Sequence, residues 1–512
     1  MAPILPASCP SRAKGILVLL SLDDCRISLR RRAAILLLVP LIALSACSFA
    51  PDYVQPPLPV PDRYDGGVEG QSIAAFDWHA FFREPQLQAL IAQALANNRD
   101  IRLAAARVAE ARGAWRIEGA SLYPQLDGVV TGTRGRTLVT GTDQYADLKQ
   151  VTAQLSASWE IDFWGRMRNL REAARQQYLS TEESRRAVAT DLIGQVALGY
   201  LLEREYEERA ELARQSITTR DETLRIMRRR YEVGSGNKLD MAQSQVLLAQ
   251  AQTTLDALEQ ERDVNRNALA LLVGAPVDIA PGSLGLTGDF PEFTLPTGLP
   301  SELLVNRPDI VSAEHQLRAA NANIGAARAA FFPNISLTGA FGTSSSDLAG
   351  LFAGGSGAWS FTPQLVMPIF NAGRLKGNLD VAEARRDQAV ATYEKTIQSA
   401  FRDVSDALVR RQQLAKQIVT TRALVEAQRE RARLAQLRFD NGRSTYLEVL
   451  DAQRDLFDAE QALVQLRRAE LASVVSLYSA LGGGFPVNRP FETPSADIPA
   501  TNTQTSQEGQ QR

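Results

Sequence analysis

Few residues of this sequence have the types and spacing that enzyme chemistry requires. Histidine and cysteine are scarce and widely spaced in the 512-residue chain, where they occupy only His79, His315, Cys9, Cys25 and Cys47. Such spacing predicts neither a metal cluster nor a cysteine–histidine nucleophile. The run Gly234-Ser-Gly-Asn-Lys238 looks superficially like a phosphate loop, but it lacks the Walker spacing and a preceding strand. We therefore expect no enzyme activity, no metal site and no cofactor.

The charged residues that remain of interest lie just after two glycine turns. Asp240 follows the first turn, and Glu448, Asp451 and Arg454 follow the second. Asp451 and Arg454 are three residues apart, a spacing that places both on one face of a helix. Two interpretations stay open. Such residues form a solvated helix face, as is usual, or they pack along a helix seam, because Leu447 and Arg454 lie on the same seam and Asp451 is one turn past Leu447.

Both turns belong to one internal repeat. Gly442 lies 208 residues after Gly234, and the residues on either side repeat in the same gap-free register. Glycine suits the position after a helix end because a positive φ costs it nothing. Ser444 in the second turn and Asn237 in the first are the predicted caps of the helices that follow.

The repeat extends through most of the chain. Its other members are Asn98-Arg-Asp-Ile101 with Asn306-Arg-Pro-Asp-Ile310, Leu122-Tyr-Pro124 with Phe331-Phe-Pro333, and Gly165-Arg166 with Gly373-Arg374. A period this long indicates a duplicated half rather than an array of small repeats. Each half is predicted to run helix, strand, strand, long helix, turn, long helix.

Two proline-free stretches predict unusually long helices. Residues 165–232 and 373–440 each span 68 positions without proline, enough for a helix of about 100 Å. The returning helices, predicted at about 237–274 and 444–482, carry two apolar stripes and so require neighbours on two sides. The alternative is one four-helix bundle per chain, which leaves the strands described next unexplained.

Alternating polar and apolar residues predict four strands. The alternation is clearest over Val151–Phe163, recurs over Ile335–Phe341 and Trp359–Ile369, and is weaker after Pro124. Four strands cannot close a barrel, and open edges are excluded in lipid. Two chains supply eight strands, and three supply twelve with room for a pore; a soluble sheet with one buried face is the alternative. The aromatic residues that suit an interfacial belt are Trp159, Phe163, Trp164, Trp359 and Phe361.

The N-terminus predicts export and lipidation. Residues 30–47 combine a basic region, a short apolar region and small residues before Cys47, as in a signal peptide. The ending Leu44-Ser-Ala-Cys47 resembles a bacterial lipobox, which implies cleavage before Cys47 and acylation of that residue. An ordinary signal peptide with a chance cysteine is the alternative. Basic and acidic residues nearly balance, 56 against 58, so no charge excess points to nucleic acid.

These observations divide the chain into six segments. We expect a signal peptide at 1–46, a lipidated extended segment at 47–84, a first structural repeat at 85–274, a linker at 275–300, a second repeat at 301–485 and a disordered tail at 486–512. The linker is predicted from its prolines, and the tail from its polar composition.

Several motifs together resemble the TolC-like outer-membrane efflux proteins, and within them the lipidated NodT/OprM-type members. They are Trp78-x-x-Phe-Phe-x-x-Pro85, Asn97-Asn98-x-Asp100, Trp159-Glu-Ile-Asp-Phe-Trp-Gly-Arg166, Arg307-Pro-Asp-Ile310, Asn321-Ala-Asn-Ile-Gly325, Phe331-Phe-Pro333 and the two turns. The resemblance implies a homotrimer whose twelve-stranded β-barrel, with four strands from each chain, continues into a long α-helical coiled-coil tunnel. It also implies an outer-membrane duct of a tripartite efflux system, whose partners are a periplasmic adaptor protein and an inner-membrane RND-type transporter.

The same resemblance assigns roles to residues around the second turn. Leu447, Asp451 and Arg454 match positions that constrict the periplasmic tip in the lipidated members. Glu448 and Asp451 match a pair of acids in a better-known unlipidated member. Phe439 stands where that member has a tyrosine linking neighbouring helices, so the hydrogen bond of the tyrosine hydroxyl is lost.

The resemblance thereby defines a candidate gate and candidate adaptor contacts. The gate comprises Leu447, Glu448, Asp451, Arg454, Phe439 and Asp240, and the adaptor contacts are Gly234, Gly442, Arg443 and Ser444. Ser444 replaces a basic residue of the unlipidated member, with Arg443 one step away, which leaves the ionic partner of the gate open. The alternative functions are a duct for type I protein secretion or metal-ion export, and a coiled-coil envelope scaffold without a pore.

Overall fold

The computed structural model describes residues 48–64, 77–138, 140–141, 143–280, 286 and 300–483. Within these ranges the chain is mainly α-helical and carries a single four-stranded antiparallel sheet. The predicted signal peptide at 1–46, the predicted lipidation site Cys47 and the predicted tail at 486–512 lie outside the described residues. The division into six segments stays a prediction.

The two halves repeat the same order of elements, as the sequence predicts. The first half contains α1 (Trp78–Phe81), α2 (Pro85–Asn97), α3 (Arg99–Ala120), β1 (Gln125–Leu138), β2 (Tyr145–Ile161), α4 (Arg166–Glu232) and α5 (Lys238–Val273). The second contains a 3-10 turn (Pro300–Glu302), α6 (Leu303–Asn306), α7 (Pro308–Ala329), β3 (Asn334–Ser345), β4 (Gly357–Val366), α8 (Arg374–Asp440) and α9 (Tyr446–Ala480). The predicted long helices and the four strands are confirmed.

The two long helices, α4 and α8, have 67 residues each and are therefore about 100 Å long. Gly165 and Gly373 precede them with positive φ angles of 74° and 85°. Glycine adopts this conformation without the strain that a side chain would cause, so each helix begins directly after its glycine. None of the described helices combines the length and the hydrophobicity needed to cross a membrane.

The strands differ from their predicted bounds at their ends. β2 begins at Tyr145 rather than Val151, because β1 continues opposite residues 145–150, where the alternation is broken, and pairs with them. It also ends two residues earlier than predicted. β4 ends at Val366 rather than Ile369, since Pro368 lacks the N–H group that a strand ladder needs.

The sheet has the order β1-β2-β3-β4, so strands of the two halves pair at its centre. Because side chains alternate along each strand, the register collects apolar residues on one face, namely Leu126, Val130, Leu155, Phe341, Trp359, Phe361 and Leu365. Trp359 is 78% exposed, and Phe341 is 73% exposed. The opposite face carries Gln154, Ser156, Thr338, Ser360 and Thr362. The sheet therefore presents one apolar and one polar face.

The helices pack side by side in the order α5, α4, α9, α8. Nearer the sheet, α7 takes the place of α9 between α4 and α8. The largest buried cluster joins α2, α4, α8 and α9, and within it the ring of Phe81 stacks on Tyr478 at 3.9 Å between centroids. The row of helices ends at α5 on one side and at α8 on the other, so their outward faces have no helix against them within the described chain.

Short and returning helices meet end to end at two equivalent junctions. Asn98 caps α3 by accepting from two backbone N–H groups of its first turn, and its side-chain amide donates to the Leu272 carbonyl near the end of α5 at 2.8 Å. In the second half, Arg307 precedes α7 and donates to the Ala480 carbonyl at the end of α9 at 2.9 Å. The repeated asparagine–arginine motif thereby supplies partners for groups that helix ends leave unsatisfied.

We predict that Asn98→Ala lowers the free energy of unfolding more than Asn97→Ala does. The Asn98 variant loses a helix cap and a hydrogen bond between helices, together about 1–3 kcal/mol. Asn97→Ala is the matched control because it keeps the backbone carbonyl that accepts from Arg99. Chemical denaturation followed by circular dichroism measures both, and equal stabilities would contradict the role given to Asn98.

Candidate functional site

The first turn joins α4 to α5 through a glycine with a positive φ. Gly234 has a φ of 75°, and the space around its Cα is open. The backbone N–H groups of Ser235 and Gly236 both donate to the Arg230 carbonyl, at 2.8 and 3.0 Å. The side chain of Asn237 accepts from the backbone N–H of Asp240, in the first turn of α5, at 2.8 Å. Asn237 is therefore confirmed as the cap of that helix.

The second turn repeats this backbone path but not its cap. Gly442 has a φ of 66°, again with open space around it. The prediction that Ser444 caps α9 is wrong, because Thr445 occupies the cap position and its side chain makes no capping hydrogen bond within the described chain. The Ser444 hydroxyl is instead buried without a hydrogen-bond partner among the described residues. The register of 208 residues already places Thr445, not Ser444, opposite Asn237.

Two ion pairs supply partners for the acids at the start of α9. Arg438 Nη1 lies 3.3 Å from Glu448 Oε2, and Arg454 Nη1 lies 3.5 Å from Asp451 Oδ1. All four side chains are about half exposed, so each pair alone stabilises the chain weakly. Within the chain, Glu448 therefore pairs with Arg438 of α8, and Asp451 pairs with Arg454 of its own helix.

A further pair extends this network to the neighbouring helix. The Asp455 carboxylate accepts from Arg431 of α8 at 2.6 Å and from Arg454 at 3.0 Å. These hydrogen bonds, above all the one from Arg431, hold the pKa of the Asp455 carboxyl below its ordinary value. Arg454 is therefore shared between Asp451 and Asp455.

Aromatic side chains connect the two turns. The Arg230 guanidinium of α4 lies 5.3 Å from the centre of the Phe439 ring on α8, a cation–π geometry. The Phe439 ring in turn lies 5.1 Å from the ring of Tyr446. Tyr446 is buried in a cluster with Met227 and Val449, and this burial raises the pKa of its hydroxyl. Phe439 therefore contacts the first hairpin through its ring and needs no hydroxyl to do so.

The remaining candidate residues lie on the surface of the turns. Leu447 is 50% exposed, and Gly234, Gly442 and Arg443 are also exposed. Asp240 accepts a hydrogen bond from the Asn237 side chain at 3.0 Å and so belongs to the cap of α5. The structure thus brings Leu447, Glu448, Asp451 and Arg454 together on α9 and places Asp240 in the other turn.

Sequence reasoning missed four residues of this site, namely Arg230, Arg438, Arg431 and Asp455. A signal for the first two was present, because an arginine followed by an aromatic residue occurs at both 230–231 and 438–439. Asp455 had no such signal, since its place in the ion-pair network depends on a hydrogen bond from Arg431, which lies on a different helix.

A second candidate site surrounds the residue that follows Cys47. The Phe49 ring stacks on Phe332 at 4.7 Å, and Phe332 stacks on Trp164 at the same distance. The Ser48 hydroxyl donates to Asn169 Oδ1 at 3.0 Å. Trp164 follows β2 and Phe332 precedes β3, so the start of the described chain is held where the helices meet the sheet.

The segment from Ser48 to Tyr64, which we call the leader, then passes across α7. The Asn321 side chain donates to the Pro51 carbonyl at 2.6 Å. A Cβ placed on Gly325 would lie 2.8 Å from Ala50. The Asn321–Gly325 motif therefore has a structural role, because its asparagine holds the leader and its glycine makes room for it.

Comparison with known proteins identifies the family. A model described as outer membrane efflux protein matches residues 90–275 and 299–483. The chain is 44% identical over 467 residues to the solvent efflux pump outer membrane protein SrpC of Pseudomonas putida, covering 88% of this chain and 98% of that protein. It is 40% identical over 448 residues to the cation efflux system protein CusC of Escherichia coli, covering 86% of this chain and 97% of that protein.

A solved structure shows the same fold. The open state of the Neisseria gonorrhoeae MtrE outer membrane channel matches with a TM-score of 0.79 and 38% sequence identity, over 86% of this chain and 98% of that one. The family match, the relatives and this structure agree with the resemblance that the sequence motifs indicate. This chain is a member of the outer membrane efflux protein family.

Proposed function

We propose that this protein is the outer-membrane exit duct of a tripartite efflux system and is built from three copies of the chain. Its relatives are named as outer-membrane or cation-efflux components of efflux systems. Passage, rather than catalysis, is the proposed activity. Small molecules enter the duct from an inner-membrane RND-type transporter that a periplasmic adaptor protein connects to it.

The observation that carries this proposal is a sheet with two free edges and two different faces. Within the described chain, β1 pairs only with β2 and β4 pairs only with β3. Unpaired backbone groups are not tolerated in hydrocarbon, so such a sheet must close with further copies. Three copies give twelve strands, enough to enclose a pore, with Gln154, Ser156 and Thr338 on the water-filled side.

The apolar face has the height of a bilayer core. On β2 it runs from Val151 to Trp159, nine residues with apolar side chains at every second position. This segment is about 27 Å long at the rise of a β-strand, and its nine residues are within the range of about 9–11 that a tilted strand needs to cross a bilayer core. The rest of β2, before Val151, then extends beyond the membrane.

The row of helices, like the sheet, needs further copies of the chain to close into a ring. The outward face of α5 exposes Val246, and that of α8 exposes Val419, at 56% and 68%. Burying such residues against a neighbouring copy stabilises the assembly through the hydrophobic effect. We infer that α8 of each copy packs against α5 of the next and that the three copies enclose a tunnel.

We assign the gate to Leu447, Glu448, Asp451 and Arg454, with Phe439 and Asp240 as their neighbours. Around a threefold axis Asp451 forms a ring of three carboxylates, which repel one another and favour cations. Arg454 offsets part of this repulsion through its pair with Asp451, and three copies of Leu447 add an apolar constriction. The half-exposed positions of these side chains support the assignment, since residues that face a lumen are not covered by their own chain.

The position of Ser48 supports lipidation of the residue before it. The aromatic stack of Phe49, Phe332 and Trp164 lies at the helical end of the sheet. Tryptophan at such a position is typical of the membrane interface. We therefore propose that acyl chains on Cys47 enter the same leaflet as this end of the barrel.

Metal cations are a second candidate cargo. The identity to the cation efflux protein CusC, 40%, is close to the 44% identity to the solvent efflux protein SrpC. Expression in a host that lacks its own efflux ducts separates the two cargo classes. Restored tolerance to toluene supports organic cargo, and restored tolerance to toxic metal salts supports cations.

The gate assignment predicts that Asp451→Ala combined with Arg454→Ala raises conductance. Removing the charged ring and its pairs widens the tip, and Leu447→Ala acts in the same direction by removing the apolar constriction. Single-channel recording of purified trimers in planar bilayers measures the change, with Asp263→Ala on the surface of α5 as the control. If these variants lower thermal stability but leave conductance unchanged, the residues only pack between helices. Wild-type trimers that never conduct would contradict the duct itself.

The adaptor assignment predicts that Gly234→Val combined with Gly442→Val reduces efflux while the trimer still assembles. Each valine must adopt a φ that costs about 1–2 kcal/mol, which distorts the turns that we place against the adaptor together with Arg443 and Ser444. Gly377→Val is the control, because that glycine also has open space around it but lies within α8 without a positive φ. Efflux of a fluorescent dye from cells and native gels measure the two effects. Unchanged efflux would remove the adaptor assignment.

The anchor assignment predicts that Cys47→Ser abolishes acylation but preserves the trimer. The barrel and the helices bury most of the surface between copies, so they hold the assembly without the lipid. Mass spectrometry of the mature N-terminus is the measurement. Finding an unmodified thiol at Cys47 in the wild-type protein would show that the residue is not an anchor.

A further inference from the structure

The hairpin formed by β1 and β2 is longer than the other two strands of the sheet. β3 ends at Ser345, which lies opposite Val151, but β1 and β2 continue to pair beyond that point. The continuation joins Thr133–Leu138 to Tyr145–Gln150, and we call it the outer extension. The helices that precede and follow the strands join the opposite end of the sheet, so the outer extension lies on the outer side of the membrane.

Within the described strands, charged side chains occur on the apolar face of the sheet only in the outer extension. Directly paired residues share one face, and side chains alternate along each strand, so the row that contains Val130 continues into the outer extension. The charged residues at these outward positions are Arg134, Arg136, Asp147 and Lys149. All four are exposed. The face that meets lipid therefore ends in three basic groups and one acid.

Two of the basic residues face each other. Arg134 lies directly opposite Lys149 in the ladder, where the two Cβ atoms are about 5 Å apart and like charges are destabilising. Neither side chain forms an ion pair with any residue that the structure describes. An anion bound between the two side chains would remove this repulsion.

Arg136 adds a third positive charge from the next outward position on β1, about 7 Å from Arg134 along the strand. The Arg136 guanidinium lies 5.5 Å from the centre of the Tyr145 ring, a cation–π geometry that orients the side chain. Asp147 lies directly opposite Arg136 and offsets one of the three positive charges. The excess of positive charge is therefore greatest at Arg134 and Lys149, the pair nearest the apolar band.

The level of this pair matches the head groups of the outer leaflet. On β2 the apolar band ends at Val151, and Lys149 is the next outward residue, about 7 Å further along the strand. The head-group region on each side of the hydrocarbon is about 5–8 Å thick. In a bacterial outer membrane the outer leaflet consists of lipopolysaccharide, whose lipid A carries phosphate groups at this depth.

We propose that Arg134, Arg136 and Lys149 bind a phosphate group of lipid A on the outside of the barrel. The proposal deepens the proposed function and rests on its membrane barrel. An arginine guanidinium donates two parallel hydrogen bonds to phosphate oxygens, and a lysine ammonium adds a compact point charge. The acyl chains of the same lipid molecule then lie along the apolar face, next to Val151.

Closure of the barrel leaves this site accessible to lipid. Pairing of β1 with β4 of the next copy uses backbone groups in the plane of the sheet, whereas the three basic side chains project from its outward face. Threefold symmetry gives one such site for each copy of the chain.

Native mass spectrometry of purified full-length trimers in detergent tests the proposal. The trimers are titrated with bisphosphorylated lipid A, with lipid A from which both phosphates have been removed, and with inorganic phosphate. Arg134→Gln combined with Lys149→Gln removes the two facing charges. Arg102→Gln combined with Arg107→Gln, at exposed positions of α3, is the control with the same change in net charge.

We expect wild-type trimers to bind bisphosphorylated lipid A in preference to the dephosphorylated form. The variant that lacks the two facing charges should bind bisphosphorylated lipid A at least about tenfold more weakly, because each charge-assisted hydrogen bond contributes roughly that factor. The control variant should bind as the wild type does.

Two further variants separate binding from folding. Lys149→Glu places an acid opposite Arg134, so we expect it to raise the thermal midpoint of the lipid-free trimer while it weakens the binding of lipid A. Asp147→Asn removes the acid of the group and should strengthen that binding several-fold. A purely structural role for these residues would not shift stability and lipid binding in opposite directions.

Equal binding of phosphorylated and dephosphorylated lipid A would overturn the proposal, since the acyl chains alone would then account for binding. Unchanged affinity after loss of the two facing charges would overturn it too, as would inorganic phosphate that binds as tightly as lipid A. Conductance of the same trimers in planar bilayers tests the duct separately. Conducting trimers that do not distinguish the two lipids would remove this site and retain the duct. Trimers that bind lipid A through these residues but never conduct would retain the site and remove the duct.

Discussion

Hydrogen bonding at the outer edges of the sheet is the constraint on which the rest of the structure depends. β1 and β4 each present a row of N–H and C=O groups that no strand of the described chain satisfies. In hydrocarbon such groups need partner strands, so one chain supplies only part of a closed wall. Within the described chain, the row of helices likewise ends at α5 on one side and at α8 on the other, and no further helix packs beyond them. The sheet and the row of helices therefore need the same number of chain copies to close. The helical tunnel and the barrel consequently share one rotational symmetry.

Duplication has preserved backbone conformation more strictly than side-chain chemistry. Glycines with positive φ occur in equivalent pairs before the long helices, in the two turns and after the returning helices. The side chains at equivalent places differ. Asn98 joins two helices in the first half, and the charged Arg307 does so in the second. Asn237 caps its helix through its side chain, whereas Thr445 does not. A positive φ admits few residues, but a helix end accepts several kinds of hydrogen-bond donor or acceptor.

The sequence predicts the elements well because their signals are local. Proline-free runs and cap glycines locate α4 and α8 within one residue, and alternation locates the strands. The cap of α9 was misplaced at Ser444 because the start of a helix shifts by one residue without changing the periodic pattern. The partner of Glu448 could not be predicted either, since Arg438 reaches it only across the folded turn. Contacts of the leader are harder still: Phe49 and Phe332, which stack, are 283 residues apart.

The pairing of β2 with β3 also dictates when the sheet can form. Ile161 lies opposite Ile335, so at least 174 residues separate partners in the central ladder. The chain is synthesised from its N-terminus, so β1 and β2 have no partner strand from the second half until the whole of α4 and α5 has followed. A two-stranded hairpin is marginal by itself in water, and closing so long a loop costs entropy before any contact repays it. A chain that ends within the first half therefore contains β1 and β2, with their apolar face, but lacks the strands β3 and β4 that complete the sheet. Although the two halves are alike, neither half alone can complete the sheet, because its central ladder joins one strand from each half.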